Sequence, residues 1–253
     1  MGDSRHCERR AARAAGVGPV IVYGRNPVRE ALRGRRRVHR VYATERAGRE
    51  VWLGGVEVVS AEAYEIEERC GSREHQGICA EAQPYPYAQA DSLLEAEDAL
   101  VVCLDEVQDP QNLGAVCRVA EAAGCSGVVL PERRAAEVTA AVCKASAGAV
   151  EHLPVARVRN LADWLGAARD HDAWVYGAAA GAGVPYDRPD YRGRVVLVLG
   201  SEGKGLRPRV AAACDRLVSL PDFGQIGSLN VASASAALVY GILHFRVGVD
   251  RAP

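Results

Sequence analysis

Short apolar runs alternate with amphipathic segments over residues 19–82, the pattern of a small α/β domain. One helix is predicted to begin at Asn26, a capping residue followed by proline. A second is predicted to be capped by Ser60 and to end at Gly71. The strands around these helices are predicted from alternation and β-branched residues at 20–23, 38–43, 56–60 and 77–82.

A larger pattern occupies residues 99–248. Its apolar runs are almost continuous, and helical segments separate them. Strands that are apolar on both sides are typical of a parallel sheet covered on both faces. The pattern ends in a long helix in which residues 232–237 are all alanine or serine. We predict a linker at 83–98, rich in proline and polar residues, and a flexible basic tail at 1–18.

The charge of the 253-residue chain is unevenly distributed, although the net charge is only −1. Residues 1–50 contain 13 arginines and 5 acidic residues. This asymmetry predicts a polyanion as the partner of the N-terminal part, and the run Arg35, Arg36 and Arg37 can contact phosphates. A solvated basic tail and helix end would explain the same residues without a partner.

Composition also limits the compartment and the chemistry. The eight cysteines form no Cys-x-x-Cys pair, and none has a histidine at ligand spacing. We therefore expect reduced thiols and no metal site. No run approaches the roughly 18 apolar residues of a membrane span, and no apolar core follows the N-terminal arginines. A cytoplasmic protein without a membrane partner is expected.

Three segments of the larger pattern carry candidate chemistry. Each follows an apolar strand, where parallel sheets bind ligands. Asn112 and Arg118 belong to the first, Glu202 to a glycine loop, and Ser228 and Asn230 to the start of the last helix. Taken singly, these residues could also be helix caps, a solvated arginine and a tight turn.

The glycine loop differs from two common nucleotide sites. Gly200, Gly203 and Gly205 give G-x-x-G-x-G, which is neither a Walker A loop nor the G-x-G-x-x-G of dinucleotide-binding proteins. Glu202 in this loop would repel a pyrophosphate. Ser228 is not in the G-x-S-x-G elbow of a nucleophilic serine. A nucleotide-dependent oxidoreductase and a serine hydrolase are therefore disfavoured.

In combination and in this order, the strings NLGAVCR, LGSEGKGL and SLNV resemble the SpoU (TrmH-like) family of the SPOUT superfamily. VYGRNPVREAL and REHQGICAEAQPYPYA are similar to the small L30e-like RNA-binding domain that precedes the catalytic domain in many members. The resemblance covers about residues 19–247. It implies an L30e-like α/β domain at 19–82 and a knotted SPOUT methyltransferase domain at 99–248.

The family resemblance implies an RNA ribose 2′-O-methyltransferase that uses S-adenosyl-L-methionine and forms homodimers. Its fold would be a parallel sheet closed by a C-terminal trefoil knot. The N-terminal strings are most similar to enzymes that methylate a guanosine of 23S rRNA. A tRNA methyltransferase, or a non-catalytic ribosome-assembly factor on the same scaffold, remains an alternative.

The resemblance also assigns roles to residues. Arg118 would lie nearest the reacting hydroxyl, either as the base or, as we favour, as an electrostatic stabiliser. The other catalytic positions would be Asn112, Glu202, Ser228 and Asn230. Cofactor contacts would come from Gly200, Leu220 and Leu229, and RNA contacts from Arg25, Asn26, Arg35, Arg36 and Arg37.

Overall fold

The structure is a computed structural model that describes residues 18–250 except Ile226 and Ser228. The predicted tail 1–18, apart from Gly18, lies outside the described residues. The chain forms two compact units that meet between Pro86 and Tyr87. The later part of the predicted linker 83–98 therefore belongs to the second unit, where Leu93 and Leu94 are buried in the core.

The first unit is a four-stranded mixed sheet with helices, in the strand order β1-β4-β2-β3. Only β2 and β3 are parallel. Ile66 and Cys79 are fully buried in its core. The elements are β1 (Val20–Tyr23), α1 (Arg25–Arg33), β2 (Val38–Ala43), α2 (Glu45–Gly48), β3 (Val58–Ser60), α3 (Ala63–Cys70) and β4 (Ile78–Ala82).

Helix α3 begins later than the sequence predicts. Ser60 is the last residue of β3 and pairs with Ala43, so it belongs to the sheet rather than to the helix. Glu62 is the cap, and its backbone N–H donates to Glu65 Oε2 at 2.7 Å in a capping box. The prediction that Ser60 caps this helix is therefore wrong.

The second unit contains a seven-stranded sheet in the order β7-β6-β5-β10-β8-β11-β9. Every strand pair in it is parallel. The strands are β5 (Leu100–Asp105), β6 (Gly127–Pro131), β7 (Val155–Val158), β8 (Trp174–Ala178), β9 (Val184–Pro185), β10 (Val195–Gly200) and β11 (Arg216–Ser219). The helices are α4 (Pro110–Ala122), α5 (Ala140–Ala145), α6 (Leu161–Ala168), α7 (Pro208–Ala213) and α8 (Val231–Asp250).

The fold-class prediction is confirmed: a parallel α/β sheet follows a small α/β domain, whereas the trefoil knot stays a prediction. The central strands are covered on both faces, since all residues of β5 are buried and only Gly200 of β10 is not. In the parallel register Gly200 lies opposite Asp105. The loops that follow β5 and β10 therefore leave the same edge of the sheet side by side.

Helix α8 is long and apolar enough over Val231–Gly248 to cross a membrane, judged by length and composition alone. Val239 and Ile242 are nevertheless fully buried against the rest of the unit. The Arg246 guanidinium donates hydrogen bonds to three backbone carbonyl oxygens of the same unit. These contacts pack one face of α8 against the rest of the unit.

The cysteines within the described residues are all free thiols. Burial raises the pKa of Cys117 and of Cys125 to about 12, so both remain protonated and unreactive near neutral pH. In the part of the chain that the structure describes, no group of three or more histidine, cysteine or acidic residues could hold a metal ion.

Candidate active site

Three residues from distant parts of the chain form one hydrogen-bonded cluster, which we call the Asn-Glu-Asn cluster: Asn112, Glu202 and Asn230. The Asn112 side-chain amide donates to Glu202 Oε1 at 3.1 Å. The Asn230 amide donates to the same oxygen at 2.5 Å and to Asn112 Oδ1 at 2.9 Å. The structure thus brings together one residue from each of the three predicted motifs.

Each member of this cluster is positioned by its local structure. Asp109 caps α4 and is followed by Pro110, so Asn112 lies in the first turn of the helix. Asn112 is almost completely buried. Asn230 precedes α8, and its Oδ1 accepts a hydrogen bond from the Ala232 N–H at 2.8 Å. Asn230 therefore caps α8 and is also a member of the cluster. It is both a helix cap and a candidate catalytic residue.

The glycine loop after β10 is tightly closed. The Gly205 N–H donates to the Ser201 carbonyl oxygen at 2.9 Å. Gly203 and Gly205 have φ values of 75° and 65°, which favour glycine. At Gly200 an added Cβ would lie 2.1 Å from the Gly205 carbonyl carbon, closer than any real contact. Gly200 is thus needed for the loop to fold back on its own strand.

We expect Gly200→Ala to lower the free energy of unfolding by about 1 to 3 kcal/mol, because the new methyl meets backbone that cannot move aside. The matched control is Gly166→Ala in α6, where the added Cβ meets nothing within 4 Å. That variant should gain roughly 0.5 to 1 kcal/mol from helix propensity. Thermal melting of the two variants checks the contrast, and equal stability would contradict it.

An ion pair between a buried carboxylate and a partly exposed arginine ties the glycine loop to β5, and no sequence motif predicts it. Asp105 is fully buried at the end of β5. The Arg207 backbone N–H donates to Asp105 Oδ2 at 2.8 Å, and the Arg207 guanidinium donates to Oδ1 at 2.8 Å. This bond raises the pKa of Arg207 above its ordinary value. The sequence feature that could have indicated this ion pair is an aspartate at the end of an apolar strand.

A cavity of about 600 Å³ lies beside the Asn-Glu-Asn cluster, at the carboxyl ends of β10, β8 and β11. Its lining is mostly glycine, alanine and leucine, and its charged residues are Glu202, Asp222 and Lys204. A small-residue lining leaves backbone groups open to a ligand, and the negative balance suits a cation. All three predicted cofactor contacts line this cavity: Gly200, Leu220 and Leu229.

Other predicted catalytic residues are placed differently. Arg118 is exposed on α4, and among the described residues we find no hydrogen bond or ion pair to its side chain. It therefore does not join the Asn-Glu-Asn cluster. Ser228 lies outside the described residues.

In the first unit, Asn26, Arg35 and Arg37 are exposed, as RNA contacts would be. Arg25 is half-buried: its guanidinium pairs with Glu50 at 2.9 Å, and its backbone N–H donates to Gln76 Oε1 at 2.9 Å. No sequence motif points to Gln76 as a partner of Arg25.

Arg36 differs from the other arginines of its run. It is only 6% exposed and donates to the Gln83 carbonyl oxygen at 3.4 Å. This burial disfavours the predicted phosphate contact, because the guanidinium is used in a hydrogen bond inside the unit and is shielded from solvent.

We expect Glu202→Ala to weaken S-adenosylmethionine binding by about tenfold. The change removes the shared acceptor of two side-chain amides and leaves the buried Asn112 donor unpaired. Glu202→Gln keeps an acceptor oxygen and should lose less. Calorimetric titration with S-adenosylmethionine measures both, and equal losses would show that the negative charge matters rather than the hydrogen bonds.

Comparison with known families matches both units. Residues 99–240 match the model of the SpoU rRNA Methylase family. Residues 21–88 match the model for RNA 2′-O ribose methyltransferase substrate binding. A Bacillus subtilis protein named as a TrmH family tRNA/rRNA methyltransferase is 36% identical, over 89% of this chain and 95% of the relative.

Solved structures of SpoU and rRNA methyltransferases are similar to this chain over most of its length. The SpoU methyltransferase AviRb from Streptomyces viridochromogenes, in complex with AdoMet, has a TM-score of 0.79 at 25% identity, covering 98% of this chain and 95% of that chain. An AdoMet-bound rRNA methyltransferase from Sinorhizobium meliloti has a TM-score of 0.76 at 25% identity, over 89% and 87% of the two chains. The chain therefore belongs to the SpoU (TrmH-like) family, and it is an RNA methyltransferase with S-adenosylmethionine as its cofactor.

Proposed function

We propose that this chain methylates a ribose 2′-oxygen in RNA, and that the target is a guanosine of 23S rRNA. The Asn-Glu-Asn cluster beside the 600 Å³ cavity carries the proposal, because it joins three motifs at one ligand-sized site. The match to the model for RNA 2′-O ribose methyltransferase substrate binding supports the 2′-oxygen as the methylated atom. The similarity to the Sinorhizobium meliloti rRNA methyltransferase supports rRNA as the substrate. The guanosine assignment is supported by the resemblance of the N-terminal strings.

Bound S-adenosylmethionine supplies a methyl group on a positively charged sulfur. Gly200, Leu220 and Leu229 line the cavity and would hold its adenosine part, as the family resemblance implies. The Asn-Glu-Asn cluster orients the loops around the cavity, and Ser228 would have the catalytic role that the family resemblance implies. A ribose 2′-hydroxyl is a poor nucleophile, so these residues act by positioning.

Arg118 acts on the RNA rather than on the cofactor. A guanidinium stays protonated in proteins and therefore makes a poor general base. Arg118 binds the phosphate next to the target ribose and stabilises the negative charge that develops on the 2′-oxygen. Its exposed position and its lack of a partner among the described residues leave it available for this contact.

The proposed active form is a cytoplasmic homodimer that contacts RNA through both units. On α8 the apolar side chains Tyr240 and Val247 are 50% and 48% exposed, and the small residues 232–237 allow another helix to approach closely. In the first unit, Arg25, Asn26, Arg35 and Arg37 contact RNA phosphates.

The test is methyl transfer from labelled S-adenosylmethionine to two unmodified transcripts, a peptidyl-transferase-region fragment of 23S rRNA and a tRNA pool. Label on a guanosine 2′-oxygen of the 23S fragment is the expected result. Label only on tRNA would contradict the assignment of 23S rRNA as the substrate but would support the proposed RNA methylation. No label on either RNA, with S-adenosylhomocysteine still raising the melting temperature, would favour an assembly factor.

A further inference from the structure

A second cavity, about 440 Å³ in volume, lies at the carboxyl ends of β6 and β7. None of its residues belongs to the three motifs or to the Asn-Glu-Asn cluster. We call it the β6–β7 pocket, and its lining consists of Tyr87, Ala88, Gln89, Glu132, Arg133 and Arg157.

One wall of the β6–β7 pocket is held rigid by hydrogen bonds. Tyr87 Oη accepts the Val138 N–H at 2.8 Å. The Arg157 guanidinium lies 5.3 Å from the centre of the Tyr87 ring, donates to the Glu132 carbonyl oxygen at 2.8 Å and pairs with Glu137 at 3.0 Å. Aromatic rings and arginine planes are the surfaces on which unpaired RNA bases stack. A rigid wall also lowers the entropy cost of binding.

The remaining charged and polar side chains of the pocket are exposed to solvent. Within the described residues, we find no hydrogen bond or ion pair to the side chains of Arg133, Glu132 or Gln89. Arg133 can bind a phosphate, Glu132 can accept from a base amino group, and Gln89 can do either. A carboxylate in the lining disfavours a polyphosphate and is compatible with a single phosphodiester.

The place of the pocket in the sheet relates it to the active site. The order β7-β6-β5-β10 puts it two to three strands from the end of β10, on the same carboxyl edge. At a spacing of about 4.8 Å per strand, this is roughly 12 Å across the sheet. That separation is too large for the target nucleotide and suits one close to it in the chain.

We propose that the β6–β7 pocket binds a nucleotide of the substrate RNA that flanks the methylated one. Arg133 contacts its phosphate, the wall of Tyr87 and Arg157 receives its base, and Glu132 accepts from an amino group on that base. The inference rests on the proposed function, since it takes the RNA that enters the active site as the ligand.

The test is RNA binding by the full-length protein, measured by fluorescence anisotropy with the 23S fragment and the tRNA pool at several salt concentrations. Arg133→Ala should weaken binding of the better-bound RNA about tenfold, the loss expected of one charge-assisted hydrogen bond. It should also reduce the slope of log Kd against log salt by about 1. The matched control is Arg192→Ala, an exposed arginine just before β10 at the amino edge of the sheet, which should bind RNA as the unaltered protein does.

Glu132→Ala separates recognition from simple charge attraction. Removing a carboxylate would tighten RNA binding if only net charge mattered, whereas loss of a base contact should weaken it about threefold. Equal effects of Arg133→Ala and Arg192→Ala, or tighter binding by Glu132→Ala, would overturn the proposal. If the unaltered protein methylates neither RNA, the proposed function fails, while the comparison of Arg133 with Arg192 still decides whether the pocket binds RNA.

Discussion

Replacing Arg118 with alanine is expected to lower kcat for methyl transfer by about 10²- to 10³-fold and to leave S-adenosylmethionine affinity unchanged. The side chain is exposed on α4 and lies outside the Asn-Glu-Asn cluster. Its removal should therefore cost little stability. The loss should fall on the chemical step, because in the proposed reaction a positive charge next to the developing 2′-oxyanion acts mainly in the transition state. Single-turnover methylation at saturating RNA measures this rate directly.

Two further variants test the role assigned to Arg118. Arg118→Lys keeps a positive charge but loses the planar fork that binds a phosphate through two hydrogen bonds, so an intermediate rate is expected. Arg192→Ala removes an arginine from the opposite edge of the sheet and should leave kcat unchanged. Near-normal turnover by Arg118→Ala on saturating RNA would show that the assigned role is wrong.

The sequence predicts the parallel sheet well because its signals are local. Continuous apolar runs such as Val195–Gly200 have no polar face to expose, and their short length and β-branched residues are typical of central strands. The loops after these strands carry the motif residues. A parallel sheet places these loops at one edge, and the observed pairing of β5 with β10, which no local signal predicts, brings Asn112 and Glu202 within reach of each other.

What the sequence does not predict depends on long-range pairing. Arg36 lies in a run of arginines that all look alike, yet it alone turns inward to the Gln83 carbonyl. Asp105 and Arg207 are 102 positions apart, and no periodicity links them. The cap of α3 moves from Ser60 to Glu62 because pairing with β2 extends β3 through Ser60. In each case a tertiary contact overrides the local signal.

The second large effect is expected when the ion pair of Asp105 and Arg207 is disrupted. Arg207→Ala is expected to lower the free energy of unfolding by about 3 kcal/mol, because it leaves a fully buried carboxylate without its cation. We place the value at the low end of the usual range, since the Arg207 side chain is 41% exposed and water can enter where it was. Urea titration of the full chain measures the change.

The two partners of this ion pair should not be equivalent. Asp105→Asn keeps an oxygen that can accept the Arg207 backbone N–H, and it leaves the guanidinium in contact with water, so a loss of only about 1 kcal/mol is expected. Both variants should also weaken S-adenosylmethionine binding, because the pair fixes the start of α7 and with it the closed glycine loop. A loss at Asp105→Asn as large as at Arg207→Ala would mean that the hydrogen bonds, rather than the buried charge, hold the loop in place.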